Sequence, residues 1–154
     1  MKLNIRKFKS RCGKHQFASW FYEESMQNPL GVVGLNPSIT KDGKNLTVSA
    51  LSKLAKREGF DSLFITNLYS YISPDPKLLK EVETPVLEEN DKWIQQMSIY
   101  CTKVLCIWGN NSTEDRIKSV VPMIEDKAYS IGFTKSGQPR HVLHTKLDVP
   151  LIRL

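Results

Sequence analysis

Leu30-Gly31-Val32-Val33-Gly34-Leu35, closed at once by Asn36-Pro37-Ser38, is an apolar run with no polar alternation that ends in turn residues. Two further stretches repeat that pattern. Ser62-Leu63-Phe64-Ile65-Thr66 is closed by Asn67, and Val104-Leu105-Cys106-Ile107-Trp108 by Gly109-Asn110-Asn111. Runs that stay apolar at every position suit strands buried on both faces, as in a parallel sheet. Helical periods fill the intervals. Val48, Leu51, Leu54 and Ala55 form one, with Asn45 or Thr47 as its cap and Gly59 as its stop. Val86, Leu87, Asn90, Trp93, Ile94 and Met97 form a second. Ile117, Val120, Val121 and Ile124 form a third, which Pro122 must bend or shorten. Strands alternating with helices predict βαβ units and a single α/β domain over 1–154. Its sheet is expected to be mostly parallel, with flanking helices making three layers.

The beginning of the chain reads differently. Ile5 to Lys9 and Phe17 to Tyr22 bracket the turn Cys12-Gly13-Lys14, which predicts an antiparallel hairpin added to the sheet. Ala128 to Ile131 is the expected last strand, and Thr134 to His144 reads as a polar loop. Asp91 is expected at a helix start and Asp75 in a turn.

With 154 residues, 40% of them hydrophobic, the chain can bury one full core without disulfides or structural metal. Its formal charge of +6 leaves two readings open: a polyanionic partner, or a solvated surface that keeps the protein dispersed. Cys12, Cys101 and Cys106 form no CxxC pair, and Cys101 and Cys106 sit at an apolar run as core residues. His15 and His144 have no metal-ligand spacing, so neither metal nor cofactor is expected. No signal-peptide core and no bilayer-length apolar stretch is present, which predicts a cytoplasmic protein without a membrane partner. The phosphate-cradling GxxxxGK[ST] loop, the GxGxxG fingerprint and the GxSxG elbow are all missing. That sets aside P-loop nucleotidases, nicotinamide enzymes and serine hydrolases of that fold.

In an open α/β sheet, ligands bind beyond the carboxyl ends of the strands. Four polar segments converge there: Gly34 to Ser38, Thr66-Asn67, Trp108 to Asn111, and Gly132 to His141. Asn36 offers a carboxamide that orients a water or a polar ligand, or else closes a β-turn, and Pro37 stiffens the turn that presents it. Asn67 reads an amide-like edge or ties down a strand end. Lys135, Ser136, Gln138, Arg140 and His141 have the composition of a phosphate or base grip, or of a solvated basic loop. Tyr69, Tyr71, Trp108 and Phe133 are the aromatic candidates for stacking or for the core.

These residues carry a resemblance. Leu35-Asn36-Pro37-Ser38, Thr66-Asn67-Leu68-Tyr69 with Asp75-Pro76, Glu89-Asn90-Asp91 with Trp93, Trp108-Gly109-Asn110 and Gly132 to His141 resemble, in that order, a bacterial and phage family, domain of unknown function 1643. The chain departs from the family at Asn45 to Leu51, where acidic residues and an arginine are usual. Gly34-Leu35-Asn36-Pro37-Ser38 is also similar to the first active-site motif of the uracil-DNA glycosylase superfamily. That resemblance implies a glycosylase-like fold in which Asn36 positions the attacking water and Asn67 reads the base edge. His141 would steady the departing base, and the loop at Gln138-Pro139-Arg140-His141 would wedge into the duplex.

The expected site is therefore catalytic Asn36 and His141, with Pro37, Ser38, Asn67, Tyr69, Trp108, Asn110, Lys135, Ser136, Gln138 and Arg140 binding the substrate. The partner implied is nucleic acid, DNA before RNA, or a nucleotide, and the activity implied is hydrolysis of an N-glycosidic bond in DNA. The alternatives are a nucleic-acid or nucleotide binding module without chemistry, and a phage or host protein-interaction domain.

Overall fold

The computed structural model describes residues 4–23, 28–37, 45–81 and 84–154. Its seven strands form one sheet. In chain order they are β1 (Asn4–Lys9), β2 (Gln16–Tyr22), β3 (Pro29–Gly34), β4 (Ser62–Asn67), β5 (Val104–Cys106), β6 (Ala128–Ser130) and β7 (Ile152–Arg153). The helices are α1 (Leu46–Arg57), α2 (Thr84–Tyr100) and α3 (Glu114–Ile124), joined by short 3-10 segments at Pro76–Glu81 and Val142–His144.

The strand order is β1-β2-β4-β3-β5-β6-β7. β4, β3, β5 and β6 run parallel to one another, while β1, β2 and β7 pair antiparallel at the two edges. The sheet is thus mixed, and the mostly parallel sheet expected from the apolar runs is confined to its four central strands. The N-terminal hairpin forms as its turn signals indicate, with Gly13 supplying a left-handed φ of 73°. β7, at the far edge, had no sequence signal beyond a few apolar residues.

Alternate residues of the central strands feed two cores. Leu30, Val32, Leu63 and Leu105 pack with Ala50, Leu51, Leu54 and Ala55 of α1. Val33, Phe64, Val104 and Cys106 pack on the other face with Ile94 and Met97 of α2 and Val120 and Ile124 of α3. Runs without polar alternation follow from this double burial. Gly31 lets α2 lie close, because a Cβ there would run into Met97 Sδ and the Cys101 side chain.

The helix ends match their sequence. Asn45 Oδ1 accepts from Val48 N–H at 3.1 Å, so it caps α1. Gly59, at φ 85°, closes the helix as Phe60 N–H donates to Ala55 O at 2.8 Å and Gly59 N–H to Lys56 O at 3.2 Å. Thr113 caps α3, and Pro122 stands in its last turn, two residues before the end. Asp75 makes the expected turn by accepting from Lys77 N–H. Asp91 starts no helix. It lies inside α2, where its Oδ1 stands 2.7 Å from Nη1 of the buried Arg116, near enough for an ion pair though out of line for a hydrogen bond.

Among the described residues, no helix is long and apolar enough to cross a membrane.

Candidate functional site

A cleft of about 550 Å³ opens at the carboxyl ends of β3, β4 and β5, on the α1 side of the sheet. Its floor and walls include Asn36, Pro37, Asn67, Trp108 and Asn110 from the strand ends, and Arg140 and His141 from the late loop. Those positions come together because the strands are parallel and in register. Gly34 pairs with Asn67, and Val33 with Cys106, so the three following turns leave the sheet side by side.

Asn67 is the most unusual residue of the cleft. It is only 8% exposed, yet neither group of its carboxamide has a hydrogen-bond partner among the described residues. The carboxamide atoms themselves keep access to the cleft. Its backbone, by contrast, is firmly held: Asn90 Nδ2, fully buried on α2, donates to Asn67 O at 2.9 Å and Leu68 O at 3.1 Å. Arg116 Nε adds a bond to Leu68 O at 2.7 Å. Gly34 makes room for the amide, since a Cβ there would stand 2.6 Å from Asn67 Oδ1.

Asn36 divides its functions. Its Nδ2 donates to Ser73 O at 2.7 Å and Tyr71 O at 3.2 Å, which ties the segment after β4 to the end of β3. Its Oδ1 has no donor among the described residues and is the atom left for a ligand. His141 is half-buried and accepts Leu143 N–H on Nδ1 at 3.2 Å, which places the ring proton on Nε2. Burial, reinforced by the neighbouring His144, depresses its pKa below the usual histidine value, so the ring stays neutral at neutral pH. The late loop is rigid. Arg140 Nε donates to Phe133 O at 2.8 Å, and Trp108 Nε1 donates to Gln138 Oε1 at 2.9 Å. Asn110 Oδ1 accepts from both Thr134 Oγ1 and Ser136 Oγ at 2.7 Å.

Several expected site residues lie elsewhere. Tyr69 is 3% exposed and turns its hydroxyl to Ser112 and Thr113 at the start of α3, where it serves the core. Gln138 and Ser136 hold the loop together rather than line the cleft, and Lys135 stands exposed at the loop tip. Trp108, 3% exposed, presents an edge to the cleft but belongs to the core. Ser38 lies outside the described residues. Conversely, the hairpin supplies lining residues that sequence reading did not assign: Lys7, Gln16, Ser19 and Phe21. The usable signal was Ser19, a polar residue inside an apolar strand, now 4% exposed and held by Gln16 Nε2 at 2.8 Å.

Among the described residues, no cluster of three or more His, Cys, Asp or Glu could hold a metal ion. No acidic side chain among the described residues lines the cleft either. The chemistry on offer is neutral hydrogen bonding from carboxamides, Asn36 and Asn67 foremost, and from the His141 imidazole, beside the cationic Arg140 and Lys7.

No curated protein and no solved structure matches the chain. The model of one family, described as a protein of unknown function (DUF1643), matches residues 18–143, more than four fifths of the sequence. That span takes in every strand-end segment of the cleft. The chain belongs to the DUF1643 family.

Proposed function

We propose that the cleft receives a nucleobase carried by nucleic acid, in the first place DNA, within a glycosylase-like three-layer α/β frame. One observation carries this reading: the carboxamide of Asn67, without a protein partner among the described residues, is open to the cleft at its wall. A ligand offering an adjacent donor and acceptor would pair with both ends of that amide, each bond contributing about 0.5–1.5 kcal/mol net. The hydrogen-bonding edge of a nucleobase is such a ligand. Phe21 supplies an apolar wall, Arg140 a cation, and neutral His141 a donor from Nε2.

A second reading, hydrolysis of an N-glycosidic bond, is favoured by Asn36. Its free Oδ1 would orient a water toward the sugar carbon, while His141 Nε2–H hydrogen-bonds a carbonyl of the departing base. Among the described residues no carboxylate lines the cleft to take the water's proton, so the rate would depend on how readily the base leaves.

Two measurements test the pair. Titration with nucleoside monophosphates, followed by calorimetry, should give binding that Asn67→Ala abolishes. Binding to none of the bases would overturn the first reading. Incubation with duplexes and single strands carrying uracil, hypoxanthine or modified pyrimidines, then alkaline cleavage, tests the second. If no abasic sites appear with stoichiometric protein, the cleft binds without chemistry.

A further inference from the structure

The chain's entire net charge lies at one end. Residues 1–22 hold six Lys and Arg and no Asp or Glu, whereas the remaining 132 residues hold sixteen of each sign. Five of the six fall on described residues of the hairpin: Arg6, Lys7 and Lys9 on β1, and Arg11 and Lys14 in the turn. All five are exposed, and among the described residues none is paired with an acidic side chain. A surface that only keeps a protein dispersed intersperses both signs. The hairpin departs from that rule, as does 127–147, which holds Lys127, Lys135, Arg140 and Lys146 and no Asp or Glu.

The topology sets that charge beside the cleft. β2 runs antiparallel to β4 with Ser19 opposite Ile65, so the hairpin turn projects past Asn67, at the same end of the sheet as the cleft. Gln16 N–H donates to Ser70 O at 2.8 Å, and Ile72 N–H to Lys14 O at 2.9 Å, which fixes the turn on the rim. Lys7 pairs in register with Ser19, and both line the cleft. Arg6 takes the other face, with its guanidinium 5.6 Å from the Phe8 ring centroid.

We propose that the β1–β2 hairpin is a phosphate-backbone contact, with Lys7, Lys9, Arg11 and Lys14 gripping a nucleic-acid strand as one of its bases enters the cleft. The last clause rests on the proposed nucleobase reading; the contact itself rests on charge and topology. The turn Ser10-Arg11-Cys12-Gly13-Lys14 carries no large apolar side chain, so it lacks the anchor a lipid surface would engage. An acidic protein partner would call for an apolar centre to the patch; the turn offers none, and the exposed Ile5 stands at the other end of β1 from it.

The test compares two triple variants of the full chain. Lys9→Gln, Arg11→Gln and Lys14→Gln remove three of the five described charges of the hairpin. Lys53→Gln, Lys92→Gln and Lys118→Gln remove equal charge from exposed positions on the three helices. Circular dichroism melting checks that both fold. Binding to a fluorescein-labelled mixed-sequence oligonucleotide, single-stranded and duplex, is followed by anisotropy over a series of potassium chloride concentrations.

The hairpin variant should lose at least about tenfold in affinity at low salt. Its slope of log affinity against log salt should flatten by about 0.7 per lost contact on single strands and about 0.9 on duplex. The helix variant should keep the wild-type slope. Equal effects of the two variants, or an unchanged slope in the hairpin variant, would overturn the proposal. So would binding of polyglutamate or anionic phosphatidylserine vesicles in place of the oligonucleotide. Asn67→Ala should leave the slope intact, so the base-reading cleft and the hairpin contact succeed or fail on separate measurements.

Discussion

Gly34→Ala is the sharpest probe of the cleft, because it adds one methyl group and removes nothing. The new Cβ would meet Asn67 Oδ1 at 2.6 Å, about 0.8 Å inside the 3.4 Å at which ordinary contact begins. Its next neighbours, Asn67 Cγ at 3.7 Å and Ile107 Cγ1 at 3.9 Å, are already at normal distance. The carboxamide, free of protein partners, is therefore the group that must move, and the strand around it need not. Sites that read a ligand edge tolerate about 0.5 Å of misplacement. Losing the amide pair should weaken nucleotide binding by about 1–3 kcal/mol, or roughly 5- to 150-fold. Stability should change by less than about 1 kcal/mol, since alanine suits a strand better than glycine does. Calorimetric titration and urea unfolding of the same protein separate the two effects. Wild-type affinity in Gly34→Ala would refute the assignment of Asn67 as the reading group, whatever Asn67→Ala does.

Other positions give independent checks. Asn36→Asp turns a carboxylate toward the carbonyls of Ser73 and Tyr71, and should cost about 2 kcal/mol, or about 4–8 °C in Tm by calorimetry. Asp91→Ala leaves the buried Arg116 guanidinium without its counterion and should lower urea stability by up to about 3 kcal/mol; a neutral effect would mean that the pair holds nothing. Burial depresses the pKa of both His15 and His141 below the ordinary 6.5, so the folded state favours their neutral forms. Their contribution to stability is complete above that value and declines as pH falls through it toward the depressed folded values. Urea unfolding at a series of pH values should show this slope, reduced in His141→Gln.

The central strands were legible because double burial leaves a one-letter signature, and Pro29–Gly34, Ser62–Asn67 and Val104–Cys106 all carry it. The α1 cap, read as Asn45 or Thr47 and found at Asn45, and the amphipathic stripe of α3 were likewise local features. What sequence could not deliver was partnership across long separations. Tyr69 has the composition of a stacking residue, but its surroundings are set by Ser112 and Thr113, more than forty residues away. Asp91 resembles a helix cap until Arg116 is brought to it across the α2–α3 interface. The cleft itself was half legible. The turns after parallel strands must lie together, so Asn36, Asn67, Asn110 and the late loop could be grouped. The contribution of Lys7, Gln16 and Phe21 depended on which edge of the sheet the hairpin joined, and local pattern does not encode that choice.

The segment after β4 links the parts of the site. Asn67 faces the cleft while Asn90 and Arg116 hold the main chain at Asn67 and Leu68 from behind, so its amide stands on a backbone that has little freedom to shift. Further along, Ser70 and Ile72 bond to the hairpin at Gln16 and Lys14, while Tyr71 and Ser73 accept from Asn36. Residues on the two sides of this short segment therefore serve different masters: the even-numbered ones hold the basic hairpin, the odd-numbered ones hold the end of β3. His15 fastens the join, with Nδ1 at 2.9 Å from Ser70 Oγ and its ring against Tyr71. A strand held along the hairpin would thus be registered against Asn36 and Asn67 through bonds to the main chain of this one segment. That is the arrangement required if one nucleotide is to be selected while its neighbours are gripped without regard to sequence.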